Sequence, residues 1–175
     1  MSDSRLTKAD MRRLFDLLDA ELAAEGVLGE LYLVGGAVMC LALEAREATR
    51  DVDAFFRPTK LIREAAARVA ARAGVPDTWL NDAVKSYLSP RGDFDTYLER
   101  EHLRVFVAQP EYLLAMKCVA MRLGGEFRDL DDVRYLLRYL NVSTADEALV
   151  IVLRYFDEER ILPKTRFALE NLLGG

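Results

Sequence analysis

The sequence predicts an α+β protein: a small mixed β-sheet flanked by helices, continuing into a helical C-terminal part. Three observations carry this. Short apolar runs with two-residue alternation occur only before residue 109. From Pro110 onward the 3.6-residue period dominates. Strands and helices are thus segregated along the chain rather than strictly alternating. With 175 residues, 51% hydrophobic and 30% charged, the chain is the size of one domain, typically about 100–200 residues. The expected division is residues 1–109 as an α/β core and 110–175 as a helical part packed on it, together one compact unit.

The elements follow in order. Thr7 or Asp10 caps an amphipathic helix with Met11, Leu14, Phe15, Leu18 and Leu22 on one stripe, and Gly26 and Gly29 end it. Leu31 to Val34 is an apolar strand broken by Gly35-Gly36, and Ala37 to Arg46 resumes a helical pattern. Asp51 to Phe56 alternates, with Val52, Ala54 and Phe56 opposite Asp51, Asp53 and Phe55. Pro58-Thr59 stops this strand, and Lys60 to Ala73 is an Ala/Arg-rich helix closed by Gly74. Pro76 to Leu88 reads as a further helix holding the only Trp, Trp79. Asp95 to Leu98 and Leu103 to Ala108 are strands expected to be antiparallel neighbours. Helices are expected over Glu111 to Leu123, Leu130 to Leu140, Ala145 to Phe156 and Pro163 to Leu173, punctuated by Gly124-Gly125 and Asn141.

Composition narrows the chemistry. A single His and two Cys exclude two-His metalloprotease helices, His-rich zinc sites and four-Cys clusters. Triad catalysis would have to pass through His102, which starts a strand and reads as structural. Carboxylates, Lys, Arg and backbone amides remain. The N-terminus has no apolar signal-peptide core. The longest mostly apolar stretch, Leu31 to Leu43, is too short to span a bilayer. The expectation is a cytoplasmic protein with Cys40 and Cys118 as reduced core thiols.

Residues 32–56 read strand, Gly-Gly turn, helix, strand with two acids. Gly35-Gly36 lies where a strand gives way to a helix. There, free backbone N–H groups and absent Cβ atoms let a phosphate approach; a plain tight turn is the other reading. Asp51 and Asp53, two apart, share one strand face. Their repulsion is relieved by a hard cation, and Mg²⁺ typically takes one or two carboxylates plus substrate phosphates; a merely wet strand face is the alternative. One short helix joins the two features, so a phosphate cradle stands beside a metal carboxylate pair, as nucleotidyl transfer requires.

The pattern Val34-Gly35-Gly36 followed by Asp51-Val52-Asp53-Ala54 resembles the signature of polymerase-β-like nucleotidyltransferases. Thr49-Arg50-Asp51-Val52-Asp53, Trp79-Leu80-Asn81-Asp82, residues 110–117 (PEYLLAMK) and residues 128–133 (RDLDDV) are similar to bacterial nucleotidyltransferase toxins of the AbiEii type. The resemblance covers residues 30 to 140. It implies a Mg²⁺-dependent enzyme adding nucleotides from an NTP to tRNA 3′ ends, paired with an antitoxin protein. Carried over residue by residue, Asp51, Asp53, Lys117 and Asp132 would be catalytic, with Lys117 holding the triphosphate. Gly35, Gly36, Arg122 and Arg128 would contact nucleotide. Thr49 matches a Ser or Thr that can carry an inactivating phosphate in some related toxins. The chain departs from the wider superfamily in one respect. The strand at Leu103 to Ala108 holds Arg104 and no acid, so a third carboxylate would have to come from Asp93, Asp95 or Glu99. Transfer to a protein or small molecule, or nucleotide or partner binding without catalysis, are the other readings.

Lys117 also stands out without the family. Leu113, Ala120 and Met121 lie three or four residues from it, so it sits in the apolar stripe and must snorkel or meet an acid. A turn at Gly124-Gly125 would bring it to Asp129, Asp131 and Asp132, which also suit the helix dipole as capping groups. The net charge of −5 is uneven. Residues 57–91 hold seven basic and three acidic side chains, and residues 1–30 hold four and seven. A basic helix there could receive an RNA backbone or simply be solvated.

Overall fold

The computed structural model describes residues 5–121 and 129–174. The chain is α+β, with the strands N-terminal and helices closing the C-terminal part. It divides into two compact units, Met1–Ser86 with Phe94–Ala108, and Tyr87–Asp93 with Gln109–Gly175.

In the first unit, β1 (Leu6–Thr7) leads into α1 (Lys8–Ala24). Thr7 is the N-cap, in a capping box with Asp10 that satisfies two otherwise orphan donors. There follow β2 (Gly29–Val34), α2 (Gly36–Leu41), β3 (Ala48–Thr49), β4 (Val52–Arg57), α3 (Thr59–Ala73), β5 (Leu80–Asn81), a 3-10 helix Ala83–Tyr87, β6 (Phe94–Glu99) and β7 (Leu103–Ala108). The main sheet is ordered β5-β4-β2-β7-β6 and is mixed: β2 is antiparallel to β4 and parallel to β7. β6 and β7 are antiparallel neighbours, with a bulge between Thr96 and Leu98. One face of the sheet is apolar and shut: Leu31, Leu33, Val52, Ala54, Phe56 and Val105 are at most 1% exposed, as are Leu18 and Leu22 of α1 and Ile62 and Val69 of α3. His102 has structural partners: its N–H donates to Asp19 and its Nδ1 shares a hydrogen bond with the Val27 carbonyl.

Three local outcomes differ from the sequence expectation. The helix expected over Pro76 to Leu88 is instead a two-residue strand and a 3-10 turn. Trp79 is buried at 1% exposure, and its indole N–H donates to the Ala66 carbonyl of α3 at 3.0 Å. This anchors Leu80-Asn81 as a parallel partner of Val52-Asp53, so tertiary pairing overrides the helical spacing of Trp79, Leu80, Ala83, Val84 and Tyr87. The helix after Gly35 ends at Leu41 rather than Arg46. Glu44 takes a left-handed conformation, φ +52, and the chain reverses so that Ala48–Thr49 can pair with Leu6–Thr7. Asp51 stands one residue before β4 rather than inside it.

The second unit is helical: α4 (Pro110–Val119), α5 (Asp129–Tyr139), α6 (Ala145–Tyr155), a 3-10 turn Glu158–Arg160 and α7 (Pro163–Leu173). α4 is its central helix, buried at Tyr112 to Met116 and again at Cys118 and Val119. Hydrogen bonds draw residues 87–93 into this unit. The Ser89 N–H donates to Tyr112 Oη, the Ser89 hydroxyl to the Tyr155 carbonyl, and Tyr155 Oη–H to Asp93. Thr165, fully buried on α7, donates to the Cys118 carbonyl. Cys40 and Cys118 are free and buried, and burial raises the Cys118 thiol to about 12, which keeps it an unreactive thiol at neutral pH. No helix among the described residues is long and apolar enough to cross a membrane.

Candidate active site

The Gly-Gly turn and the acid pair meet within the first unit. β2 and β4 are antiparallel neighbours with Val34 opposite Asp53, so the end of β2 abuts the start of β4. Gly35 follows Val34 with φ +67 and ψ −144, a region only glycine enters without strain. A Cβ there would also come 3.3 Å from Asp53 Oδ2. The glycine therefore does two things: it turns the chain into α2, and it lets the Asp53 carboxylate lie directly against backbone. Gly35→Ala is expected to cost about 1–3 kcal/mol through the strained dihedral alone, measured by chemical denaturation.

Gly36 is as closely confined. A Cβ on it would meet Thr49 Oγ1 at 2.6 Å and Arg46 Nη1 at 3.0 Å. Thr49 is 7% exposed, and its hydroxyl donates to the Asp51 carbonyl at 3.3 Å. The pairing of β3 with β1 holds it there. Thus Gly35, Gly36, Thr49, Asp51 and Asp53 form one cluster. Arg46 belongs to it too. The sequence reading did not single it out, because the reversal at Glu44 that returns it to Gly36 leaves no periodic signal.

The electrostatics follow from the crowding. Burial raises the Asp51 carboxyl above its usual value, the neighbouring Asp53 charge raises it further, and Arg50 partly offsets both. Two carboxylates that raise one another's cost of ionisation suit a hard divalent cation. Among the described residues no group of three or more His, Cys, Asp or Glu gathers around a point. A metal here would take the Asp51–Asp53 pair as its protein donors, a set of the kind Mg²⁺ accepts when phosphate oxygens and water complete its shell. No acid joins them from β7: level with Asp53 across the sheet, one residue past the Leu33–Val107 pair, stands Ala108. Asp93 is engaged with Tyr155 in the second unit, and Asp95 and Glu99 are exposed on the edge strand β6.

The second unit contains the other predicted group. Lys117 Nζ lies 2.7 Å from Asp132 and 3.5 Å from Asp129. All three side chains are largely removed from solvent, at 14%, 3% and 7% exposure respectively. The physical cause is plain: α4 is apolar around most of its circumference, so its lysine needs a counter-charge, and the α5 first turn supplies two acids where the helix dipole favours them. Asp131, on the same turn, is exposed and pairs with Arg134. Arg122, Arg128 and the Gly124-Gly125 turn lie outside the described residues.

The basic surplus of residues 57–91 is matched by acids. Arg68 and Arg72 of α3 pair with Glu21 of α1, and Arg68 also with Glu25. Arg63 and Lys85 share Asp82, Arg57 meets Glu30, Lys60 meets Glu64 and Arg91 meets Asp157. The uneven charge of the two sequence segments is therefore in large part the complementarity of α1 and α3. Such exposed pairs are each worth about 0–1 kcal/mol.

No protein-family model, curated protein or solved structure matches this chain.

Proposed function

We propose that this protein is a Mg²⁺-dependent nucleotidyltransferase of the toxin type, transferring nucleotides from an NTP to tRNA 3′ ends, and that a cognate antitoxin protein restrains it. One observation carries the reading: the Gly35 backbone, in a conformation that only glycine adopts easily, is packed against the Asp53 carboxylate, with Asp51 beside it. In this reading Asp51 and Asp53 hold Mg²⁺, which when bound neutralises the charge that develops on the phosphates. Gly35 and Gly36 leave backbone unobstructed where phosphate oxygens must approach. The acceptor hydroxyl attacks the α-phosphate, its new O–P bond replacing the bond to pyrophosphate, which leaves, while the hydroxyl proton passes to water. Roles for Lys117, Asp132, Arg122 and Arg128 in nucleotide contact rest on the sequence resemblance.

The test is incubation with each labelled NTP, Mg²⁺ and total tRNA. Label at a tRNA 3′ end is the expected result. Label on protein or a small molecule moves the acceptor, and no label with folded protein reduces the chain to a binding module. Thr49 as a phosphosite is tested separately, by mass spectrometry after incubation with antitoxin and NTP. A phosphate there would sit against Gly36 and next to Asp51.

A further inference from the structure

We propose that the sheet face carrying Asp53 is a stacking platform for the bases of a single-stranded nucleic acid, the acceptor strand of the transfer reaction; its role as an acceptor subsite rests on the function proposed above. The register of β2, β4 and β7 places Tyr32, Phe55 and Phe106 in one row across three strands, and Phe94 of β6 joins them by ring contact. Tyr32 stacks on Phe106 with centroids 4.8 Å apart and planes 13° from parallel. Phe94 meets Tyr32 edge-on at 5.2 Å, and Phe55 lies tilted at 5.9 Å. All four rings are half-buried, whereas the opposite face of the same strands is shut. The rings therefore keep part of their surface accessible outside that core, where a flat base can meet it.

Position and charge name the occupant. Asp53 is the next residue of β4 on the same face, two positions from Phe55, hence about 7 Å along the strand. A strand delivering its terminal hydroxyl to the Asp51–Asp53 pair must run its last bases over or beside these rings, and every base has a flat π face to stack. On the far side of the row stand two exposed guanidinium groups. Arg57 lies over the Tyr32 ring at 5.5 Å and donates to its hydroxyl and to Glu30. Arg104, opposite Glu30 on β7, has no ion pair among the described residues. Glu30 lies opposite both and already pairs with Arg57, so the net positive charge they offer an anionic backbone is small. Affinity would come mainly from stacking, and its logarithm would fall with that of salt at a slope no steeper than about −1.4, at roughly −0.7 per phosphate for single strands.

The test is fluorescence anisotropy on the full chain, with labelled eight-nucleotide single strands of RNA, of DNA and of abasic DNA. Binding of RNA, DNA or both supports the platform and names its source. The abasic strand should bind about ten-fold more weakly, and Phe55→Leu and Phe106→Leu should each weaken RNA or DNA binding about ten-fold. The abasic comparison uses only the unaltered protein, so it stands even if a leucine variant does not fold. Equal affinity for abasic and base-bearing strands, or no binding of either, overturns the platform; self-association through this face, abolished by Phe55→Leu, would do the same. If NTP transfer occurs but binding ignores the bases, the platform falls and the transferase stands. If binding follows the rings but no NTP is consumed, the transferase falls and a nucleic-acid-binding face remains.

Discussion

Asp53→Asn is expected to abolish nucleotide transfer and to lessen the stability that Asp51 costs the fold as pH rises from about 4 to 7. The substitution keeps the shape of the side chain against Gly35 and removes one of the two negative charges crowded at the start of β4. Losing one such electrostatic element costs about 10²–10³-fold in kcat when it stabilises a transition state. In the proposed function Asp53 is one of two donors to the cation, so at least that much is expected. Stability moves the other way because Asp51 is held above its ordinary carboxyl value of 3.8, first by burial and then by Asp53. The sign follows from proton counting. Just above pH 3.8 the folded chain holds more protons at Asp51 than the unfolded chain does, so stability falls as pH rises. The favourable contribution is present below the unfolded value and lost as pH passes through the raised folded value. Without the Asp53 charge that loss is smaller, so Asp53→Asn should gain on the parent protein between pH 4 and 7 in thermal unfolding, roughly according to the lost repulsion. A pH dependence of stability unchanged from the parent protein, together with intact transfer, would refute both halves.

Lys117→Met is expected to destabilise the helical unit by about 3–5 kcal/mol, the cost of removing one partner from a buried ion pair. Met fills the space of the stem, so the loss is electrostatic. Asp132 and Asp129, nearly buried at the head of α5, lose their shared cation. The double variant Lys117→Met with Asp132→Asn should recover a large part of that loss, because a neutral amide no longer demands a counter-charge. Urea denaturation of the single and double variants measures this. If the two are equally destabilised, the interaction between Lys117 and Asp132 contributes little. Activity separates this role from a catalytic one. If the double variant regains stability but not transfer, Lys117 or Asp132 acts on the reaction as well as on the fold.

The parts legible in the sequence are those whose signal is local. The capping box at Thr7, the left-handed cap at Gly74 and the Pro at the start of α7 are all written within four residues of where they act. The alternation of β4 by itself separates Val52, Ala54 and Phe56 from Asp53 and Phe55, because burial of one sheet face imposes a two-residue period. Lys117 is legible as a lysine that must snorkel or meet an acid, and the structure gives it the acids Asp132 and Asp129. The segment from Pro76 to Leu88 is not legible in that way. Its strand exists because β4 has an edge to pair and α3 offers the Ala66 carbonyl to Trp79, and both partners are remote in sequence. Arg46 reaches Gly36 only through the reversal at Glu44, which likewise leaves no local signal.

By itself, then, the sequence determined the fold class, the restriction to carboxylate and cation chemistry, and the residues Gly35, Gly36, Asp51 and Asp53 as a connected group, because short-range periodicity and residue chemistry need no partner to be read. Only the tertiary structure decided that Gly35 lies against Asp53 itself, that Thr49 and Arg46 close over Gly36, that Lys117 takes Asp132 at 2.7 Å, and that four aromatic rings share a face with Asp53. Those contacts depend on strand register and on chain reversal at Glu44. A one-residue slip in that register would turn every side chain to the other face.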